Sequence, residues 1–289
     1  MEHKRILFKD IMQSALLFFD KENINACREI CESLHISNLP SYDSKCYYTL
    51  SDNEFTENLI TDEMKVFSDQ KIFHSDAIVK FNKNKHDVCF VFDQKVLCGV
   101  VHICDYNKSP VLQSLQKDIL ELEKNLRSFL IIRGFSNNSM VSFFEGKLHD
   151  PINGNHWKSR LEFVKRNINE MKEYGEFQIF DLKDLLEFIK EKQLDFSLTS
   201  QDFKNITKIR NMAMHGKNPV SLDETGHLYS HESLVEFNKK LKSLSNFSIE
   251  LNYHLRYDAK NMELIKADNL RKLDIIFSKR PGALQYFIN

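Results

Sequence analysis

The chain has 289 residues, of which 42% are hydrophobic and 28% are charged, and its formal net charge at pH 7 is −1. This composition is typical of a globular protein of about two domains, and it excludes a broadly basic surface, so any contact with RNA has to be local. No stretch approaches the roughly 20 apolar residues that cross a membrane, and residues 1–5 lack the apolar core of a signal peptide. We therefore expect a cytoplasmic chain with no membrane partner.

Six cysteines lie between residues 27 and 104, and none of them forms a Cys-x-x-Cys pair. Two of them, Cys27 and Cys31, are four residues apart on a helix-like stretch and could place two metal ligands on one face. A structural zinc site needs four ligands, and no second pair of Cys or His follows at a suitable spacing. We therefore expect buried free thiols in a reducing compartment and no metal site.

Residues 1–109 contain a weak internal repeat. Each copy has an apolar run, an Asp at a turn, a second apolar run, and an Asp that opens the next segment. In the second copy the runs 88–92 and 96–103 flank the polar turn 93–95, which predicts a β-hairpin. Apolar residues at helical spacing over 24–34 precede the first copy. Each half is therefore predicted to be a helix, paired strands and the polar start of another helix.

The repeat resembles a pair of CBS modules, whose family motif is a strand that ends in Ser or Thr, two residues, and Asp. Thr49 and Asp52 match this motif in the first copy, whereas in the second copy Asp105 matches and His102 stands at the hydroxyl position. The resemblance implies a cleft for an adenine nucleotide, with the two Asp residues on ribose hydroxyls and the other two residues near the phosphates. The structural alternative is that Asp52 and Asp105 only cap helices.

After Ser109 and Pro110 the periodicity becomes that of helices. Six apolar residues from 112 to 129 follow a 3,4,3,4,3 spacing, which predicts a long helix with one buried seam. Glu123 and Arg127 are expected to form a surface ion pair on this helix. Further helices are predicted near 140–144, 158–174, 182–192, 200–215 and 231–255. We expect residues 110–258 to form an antiparallel helical bundle and residues 259–289 to form a C-terminal tail.

The helix predicted at 200–215 has clear signals at both ends. Thr199 and Asp202 fit a capping box at its start. Gly216 fits a left-handed C-cap, and Pro219 prevents continuation. The helix is therefore expected to place Arg210 in its penultimate turn and His215 at its last residue.

Three residues near the end of this helix suit the cleavage of an RNA phosphodiester. Asn211 and His215 share nearly the same helix face, while Arg210 is offset from His215 by roughly 140°. A guanidinium forks onto a phosphate, an imidazole moves protons near neutral pH, and an Asn amide donates to a phosphate oxygen or orients the imidazole. The plain alternative is a chance pair, because the helix dipole favours a His near a helix C-terminus.

The pattern Arg210-Asn211-x-x-x-His215 resembles the R-x4–6-H signature of HEPN domains, many of which are metal-independent endoribonucleases. In that family two copies of the motif meet across a homodimer and form one composite site. The resemblance therefore implies catalytic roles for these three residues. HEPN toxins that are paired with a nucleotidyltransferase antitoxin carry Tyr two residues after the His, and this chain departs from them with Lys217.

The predicted fold class is an α+β N-terminal CBS pair followed by an all-α HEPN-like bundle. The resemblance implies a nucleotide-regulated, metal-independent endoribonuclease that acts as a homodimer in stress response or phage defence. Its expected partners are an RNA substrate, an adenine nucleotide as regulatory ligand and a second copy of the chain, with no cofactor required for cleavage. The alternative is a non-catalytic nucleotide sensor or RNA-binding module, in which Arg210 and His215 hold the dimer or an RNA without cutting it.

Overall fold

The computed structural model of the chain describes residues 6–84, 87–151, 153–167, 175–224, 226 and 228–278, and their side chains except those of 82–84, 259 and 261–278. The chain is a mixed α+β protein with a helical C-terminal part. Its backbone forms two compact units. One unit contains the described residues within 1–118 and 208–242, and the other contains the described residues within 119–207 and 243–289.

The first unit contains two three-stranded sheets. In the first sheet all neighbours are antiparallel, in the order β1 (Asn38–Pro40), β2 (Cys46–Ser51) and β3 (Glu54–Leu59). In the second sheet β4 (Lys65–Phe67) is parallel to β5 (Val88–Asp93), and β5 is antiparallel to β6 (Val96–His102). The helical elements around these strands are α1 (Phe8–Ile11), α2 (Ile24–Leu34), α3 (Ser75–Asn84) and the 3-10 turns Asp62–Met64 and Ile103–Asn107.

The second predicted hairpin is confirmed by the β5–β6 pair, whereas the helix predicted after Asp52 is wrong. Asp52 and Asn53 both have positive φ, 50° and 66°, and they form the tight turn between β2 and β3. Two successive left-handed residues give a turn whose twist suits a hairpin, and Asp and Asn adopt this conformation more readily than other residues with a side chain. The chain therefore continues into β3.

Three of the six cysteines lie in the hydrophobic core beside the first sheet. Cys27 and Cys31 from α2 pack with Cys46 from β2 and with the buried rings of Phe19 and Tyr48. The six cysteines are free thiols in this structure, and four of them are buried. A neutral thiol behaves as a small apolar group in such a core.

The helical part begins at Ser109, where the periodicity of the sequence changes. Its helices are α4 (Ser109–Ile132), α5 (Asn137–Gly146), α6 (Gly154–Arg166), α7 (Leu182–Glu191), α8 (Ser200–Met214) and α9 (His231–Ser278). The four inward residues predicted for α7 are buried: Leu182, Leu185, Leu186 and Ile189. Helix α6 begins before the predicted residue 158, and positions 168–174 of that prediction lie outside the described residues.

Helix α9 is longer than predicted. It was expected to end near residue 255, with a separate tail after 258, but its backbone is helical to Ser278. The segment 231–278 contains neither Gly nor Pro, so no residue in it breaks the helix. Within the described ranges, no helix is long and apolar enough to span a membrane.

The ion pair expected on α4 is confirmed, but its expected position at the surface is wrong, because both partners are largely covered. The side chains of Glu123 and Arg127 are 9% and 15% exposed. Nη2 of Arg127 donates to Oε2 of Glu123 at 3.2 Å and to the carbonyl of Phe180 at 3.0 Å, and its Nε donates to the carbonyl of Phe177 at 3.1 Å. Both phenylalanine rings are buried. The i,i+4 spacing predicted the pair but could not show that a later segment covers it.

Candidate functional site

Helix α8 begins with the predicted capping box. The backbone N–H of Thr199 donates to Oδ2 of Asp202 at 3.0 Å, and the backbone N–H of Asp202 donates to Oγ1 of Thr199 at 3.2 Å. Ile206 and Ile209 are buried, which confirms the predicted inward side of the helix. The opposite side is therefore available for polar residues.

The other end of α8 is fixed by a complete helix cap. Gly216 has φ of 62° and donates its N–H to the carbonyl of Ala213 at 3.3 Å. The N–H of Lys217 reaches back to the carbonyl of Met212 at 2.9 Å. These two bonds form a Schellman motif, so the cap predicted at Gly216 is confirmed.

The three predicted catalytic residues lie at this capped end. Asn211 and His215 are exposed, and Arg210 is half-buried. Nη1 of Arg210 donates to Oδ1 of Asn211 at 3.3 Å. The backbone N–H of His215 donates to the carbonyl of Asn211 at 3.2 Å, so His215 is held as the first residue after the helix. A guanidinium, an amide and an imidazole thus lie within one helical turn and a half.

Two side chains from other segments of the first unit hold this helix end. Nε2 of Gln116 on α4 donates to the carbonyl of Ala213 at 2.8 Å. Asn107 accepts from the backbone N–H of Val220 at 2.8 Å and donates to its carbonyl at 2.9 Å. The segment that follows the cap is therefore anchored on both of its backbone groups at Val220, which limits the positions open to His215.

Lysines near α8 were missed by the sequence analysis. Lys208 is exposed and precedes Asn211 and His215 by three and seven residues, which places all three on one helix face. The hydrogen bond and charge of Lys240 lower the pKa of Glu236 on α9, and the charge of Lys208 contributes to this shift. The spacing of residues 208, 211 and 215, which places all three on one helix face, is the signal in the sequence that could have identified Lys208.

Two of the four residues predicted to bind a nucleotide line the same cleft. Thr49 and His102 line one cleft of about 430 Å³ in the first unit. Thr49 belongs to the first sheet and His102 ends β6 of the second sheet. The cleft is lined by Ser37, Asn38, Tyr47, Thr49, Thr56, Asn58, Met64, Asp87, Val88, Phe90 and His102.

Asp52 and Asp105, the other two predicted residues, are not among the residues that line this cleft. Asp52 is exposed in the β2–β3 turn. Oδ2 of Asp105 accepts from the backbone N–H of His102 at 2.7 Å, and its Oδ1 forms an ion pair with Lys108 at 3.0 Å. The alternative role of a helix cap therefore describes Asp105, at the 3-10 turn, but not Asp52.

A hydrogen-bonded row of polar side chains crosses the first sheet beside the cleft. Oγ1 of Thr49 donates to Oδ1 of Asn38 at 2.8 Å, and Nδ2 of Asn58 donates to Oγ1 of Thr49 at 3.2 Å. The rings of Tyr47 and Phe90 also line the cleft, and their centroids are 5.2 Å apart. The cleft thus has a neutral polar wall and an apolar floor.

His102 is fixed in one orientation and one tautomer. Its Nδ1 accepts from the backbone N–H of Cys104 at 3.1 Å, so a neutral ring carries its proton on Nε2. Burial lowers the pKa of His102, and the charges of Asp87 and Asp105 oppose this shift only in part. The imidazole is therefore neutral at pH 7 and offers one N–H donor.

Asp87 and His231 were also missed by the sequence analysis. Oδ1 of Asp87 lies 3.0 Å from Nε2 of His231, the first residue of α9. The ring of Tyr229 meets the ring of His102 edge-on, with centroids 6.0 Å apart. Asp87 immediately precedes β5, whose first residue, Val88, pairs with His102, but no local pattern links Asp87 to a histidine 144 residues later.

Among the described residues, no group of three or more His, Cys, Asp or Glu side chains is arranged to hold a metal ion. Comparisons with protein-family models, with curated proteins and with solved structures found no match to this chain.

Proposed function

We propose that this chain is a metal-independent endoribonuclease that acts as a homodimer, with Arg210, Asn211 and His215 on the scissile phosphodiester. The observation that carries the proposal is the grouping of these three side chains at the exposed, capped end of α8. A small ligand in the cleft of Thr49 and His102, for which the family resemblance implies an adenine nucleotide, is the proposed regulator, in a response to stress or phage infection.

The proposed reaction needs two proton transfers and one stabilised phosphate. The imidazole of His215 takes the proton of a ribose 2′-hydroxyl, and the 2′-oxygen forms a bond to phosphorus. The bond from phosphorus to the 5′-oxygen breaks, and a protonated imidazole supplies that oxygen with its proton. The products are a 2′,3′-cyclic phosphate and a 5′-hydroxyl, and Arg210 neutralises the charge on the pentacoordinate phosphorus.

Dimerisation gives this reaction its second imidazole. One chain brings one His215, whereas the two transfers need an acceptor and a donor at the same time. A symmetric dimer that joins the two α8 ends would provide both histidines and both arginines at one site. Lys208 would extend the contact to the neighbouring phosphate, because it shares a face with Asn211 and His215.

The second candidate function is a sensor without catalysis. The observation that favours it is the cleft that Thr49 and His102 both line, because a ligand could bind there whether or not RNA is cut. In that case Arg210 and His215 would hold a dimer or an RNA.

The two candidates differ in the behaviour of His215→Ala. Wild type, His215→Ala and the matched control His149→Ala, which replaces another exposed histidine, are incubated with total RNA and with tRNA in EDTA, with and without AMP or ATP. The enzyme predicts a loss of cleavage of roughly 100-fold or more for His215→Ala alone, with dimer formation and RNA binding intact. Loss of the dimer, or unchanged handling of RNA, favours the sensor.

A further inference from the structure

The cleft of Thr49 and His102 has features that specify a class of ligand. Its volume of about 430 Å³ lies in the lower part of the range of small-molecule sites, which suits a nucleoside or a hexose. Both sheets contribute to it, and the row of Asn38, Thr49 and Asn58 is ordered by its own hydrogen bonds. A polar wall that is ordered in advance loses little conformational freedom when a ligand binds.

Two groups in the cleft can make directed hydrogen bonds to a ligand. Asp87 is held through Oδ1 by His231 and presents a carboxylate that accepts hydrogen bonds. His102 is held through Nδ1 by the N–H of Cys104, which leaves its Nε2–H as a donor. A ligand hydroxyl can both donate to the carboxylate and accept from the imidazole, and an amino group can donate to the carboxylate.

The charge of the cleft disfavours phosphate. Among the lining residues that the structure describes, none is Lys or Arg, and the ionisable side chains are Asp87, His102 and Tyr47. Burial keeps His102 neutral at pH 7 by lowering its pKa, and burial raises the pKa of Tyr47, so its phenol is neutral as well. A phosphate bound beside Asp87 would meet its carboxylate, whose side chain is 35% exposed, and two like charges at a contact partly shielded from water repel.

We propose that this cleft binds an uncharged ligand of about nucleoside size through its hydroxyl or amino groups, with Asp87 and Nε2 of His102 as polar contacts, and that it discriminates against phosphorylated forms. The inference rests on the proposed function only in treating the cleft as the regulatory site, and it replaces the expected nucleotide by a ligand without phosphate. The apolar floor of Tyr47 and Phe90 suits either a base or the apolar face of a sugar ring.

The test is calorimetric titration of the full chain with four probes: adenosine, AMP, ATP and glucose. We expect adenosine to bind at least about tenfold more tightly than AMP or ATP, because each phosphate adds negative charge beside Asp87. Binding of glucose without adenosine would also support the inference and would identify the neutral ligand as a sugar. AMP or ATP binding as tightly as adenosine would overturn it, and so would the failure of all four probes to bind.

Substitutions of residues that line the cleft test whether the neutral probe binds there. Thr49→Val removes a hydroxyl with little change of shape, and Asp87→Asn removes the negative charge. Each should weaken the neutral probe by about tenfold or more, and Asp87→Asn should also reduce the discrimination against AMP. Asp93→Asn, at an exposed turn, is the matched control, and an equal loss there would overturn the assignment. Thermal unfolding of each variant separates loss of the fold from loss of a contact.

RNA cleavage by wild type in the absence of any probe tests the proposed nuclease independently of ligand binding in the cleft.

Discussion

At the scale of single residues, His102 combines burial with a defined set of charged neighbours. Asp87 and Asp105 favour its protonated form, whereas burial and His231 oppose protonation, and burial has the largest effect. The pKa of His102 in the folded chain is therefore below the ordinary histidine value of about 6.5 in the unfolded chain. As the pH falls through that value, the unfolded chain takes up a proton that the folded chain resists. The stability linked to His102 is thus present above pH 6.5 and is lost below it.

The first prediction follows from the direction of this pKa shift. His102→Asn keeps an acceptor for the N–H of Cys104, since Asn is a good N-cap residue, but it cannot titrate. Between pH 7.5 and pH 5.5 the wild type should lose more stability than His102→Asn, as measured by urea unfolding at each pH. Parallel losses in the two proteins would show that His102 does not titrate across the folding transition.

A second prediction concerns Lys208. If RNA lies along the exposed face of α8, Lys208→Gln should weaken RNA binding at every sequence and should lower the slope of log affinity against log salt by about 1. The charge-matched control is Lys45→Gln, since Lys45 is 80% exposed on a turn of the first sheet. Equal affinities and slopes for wild type and Lys208→Gln would remove Lys208 from the interface.

Sequence reasoning about single residues succeeded where a contact is local. The caps at Thr199, Asp202 and Gly216 involve residues within five positions of each other, so their chemistry is visible in the sequence. The contact between Asp87 and His231 has no such signal, because the fold alone brings them together.

At the scale of elements, the end of α8 determines where His215 lies. Gly216 has φ of 62°, and a Cβ at this position would have no heavy atom within 4 Å. The cost of a side chain here is therefore conformational and not steric, and it is about 1–2 kcal/mol for a left-handed residue.

Gly216→Ala should accordingly lower the free energy of unfolding by about 1–2 kcal/mol. Gly146→Ala is the matched control, because Gly146 ends α5, has no positive φ and has open space around the position of a Cβ. That control should be neutral or stabilising by up to about 1 kcal/mol. Chemical denaturation of both variants measures the difference, and equal effects would contradict the role assigned to the cap.

Helix α4 offers a second test at this scale. Arg127 donates hydrogen bonds to the carbonyls of Phe177 and Phe180 and forms an ion pair with Glu123. The side chains of Arg127 and Glu123 are both largely buried. Arg127→Met removes these donors and should cost about 3–5 kcal/mol, as expected when one partner of a buried pair is lost.

The control for Arg127→Met is Lys147→Met, which breaks a pair with Glu191 in which the two side chains are 29% and 49% exposed. Its effect on the free energy of unfolding should stay below about 1 kcal/mol. Urea unfolding of the two variants gives the comparison. A loss below about 1 kcal/mol for Arg127→Met would mean that the Phe177–Phe180 segment is held by its rings alone.

The periodicity of apolar residues predicts some elements of this fold and misses others. The helices α4, α7 and α8 bury the predicted faces, because a 3.6-residue period specifies both the helix and its inward side. Strand β3 was missed because residues 54–59 are mostly polar and exposed, so no buried side marks them in the sequence. The end of α9 was predicted too early, because residues 231–278 contain no Gly or Pro that marks where the helix stops.

At the scale of the whole molecule, the predicted boundary at residue 110 coincides with the start of α4, but the two compact units divide the chain elsewhere. Residues 208–242, which carry Arg210 and His215, belong to the same unit as the two sheets and the cleft. A ligand in the cleft and an RNA on α8 would therefore bind to one unit. Coupling between them still requires that the ligand bind one conformational state more tightly than the other.

The central claim is that His215 transfers protons in RNA cleavage, and it can be tested by single-turnover cleavage of end-labelled tRNA in EDTA. We compare wild type, His215→Ala and His149→Ala at equal concentration. The account predicts that His215→Ala is slower by roughly 100-fold or more and that the wild-type products end in 2′,3′-cyclic phosphate and 5′-hydroxyl groups. Equal rates for wild type and His215→Ala, or products with 5′-phosphate ends, would contradict it.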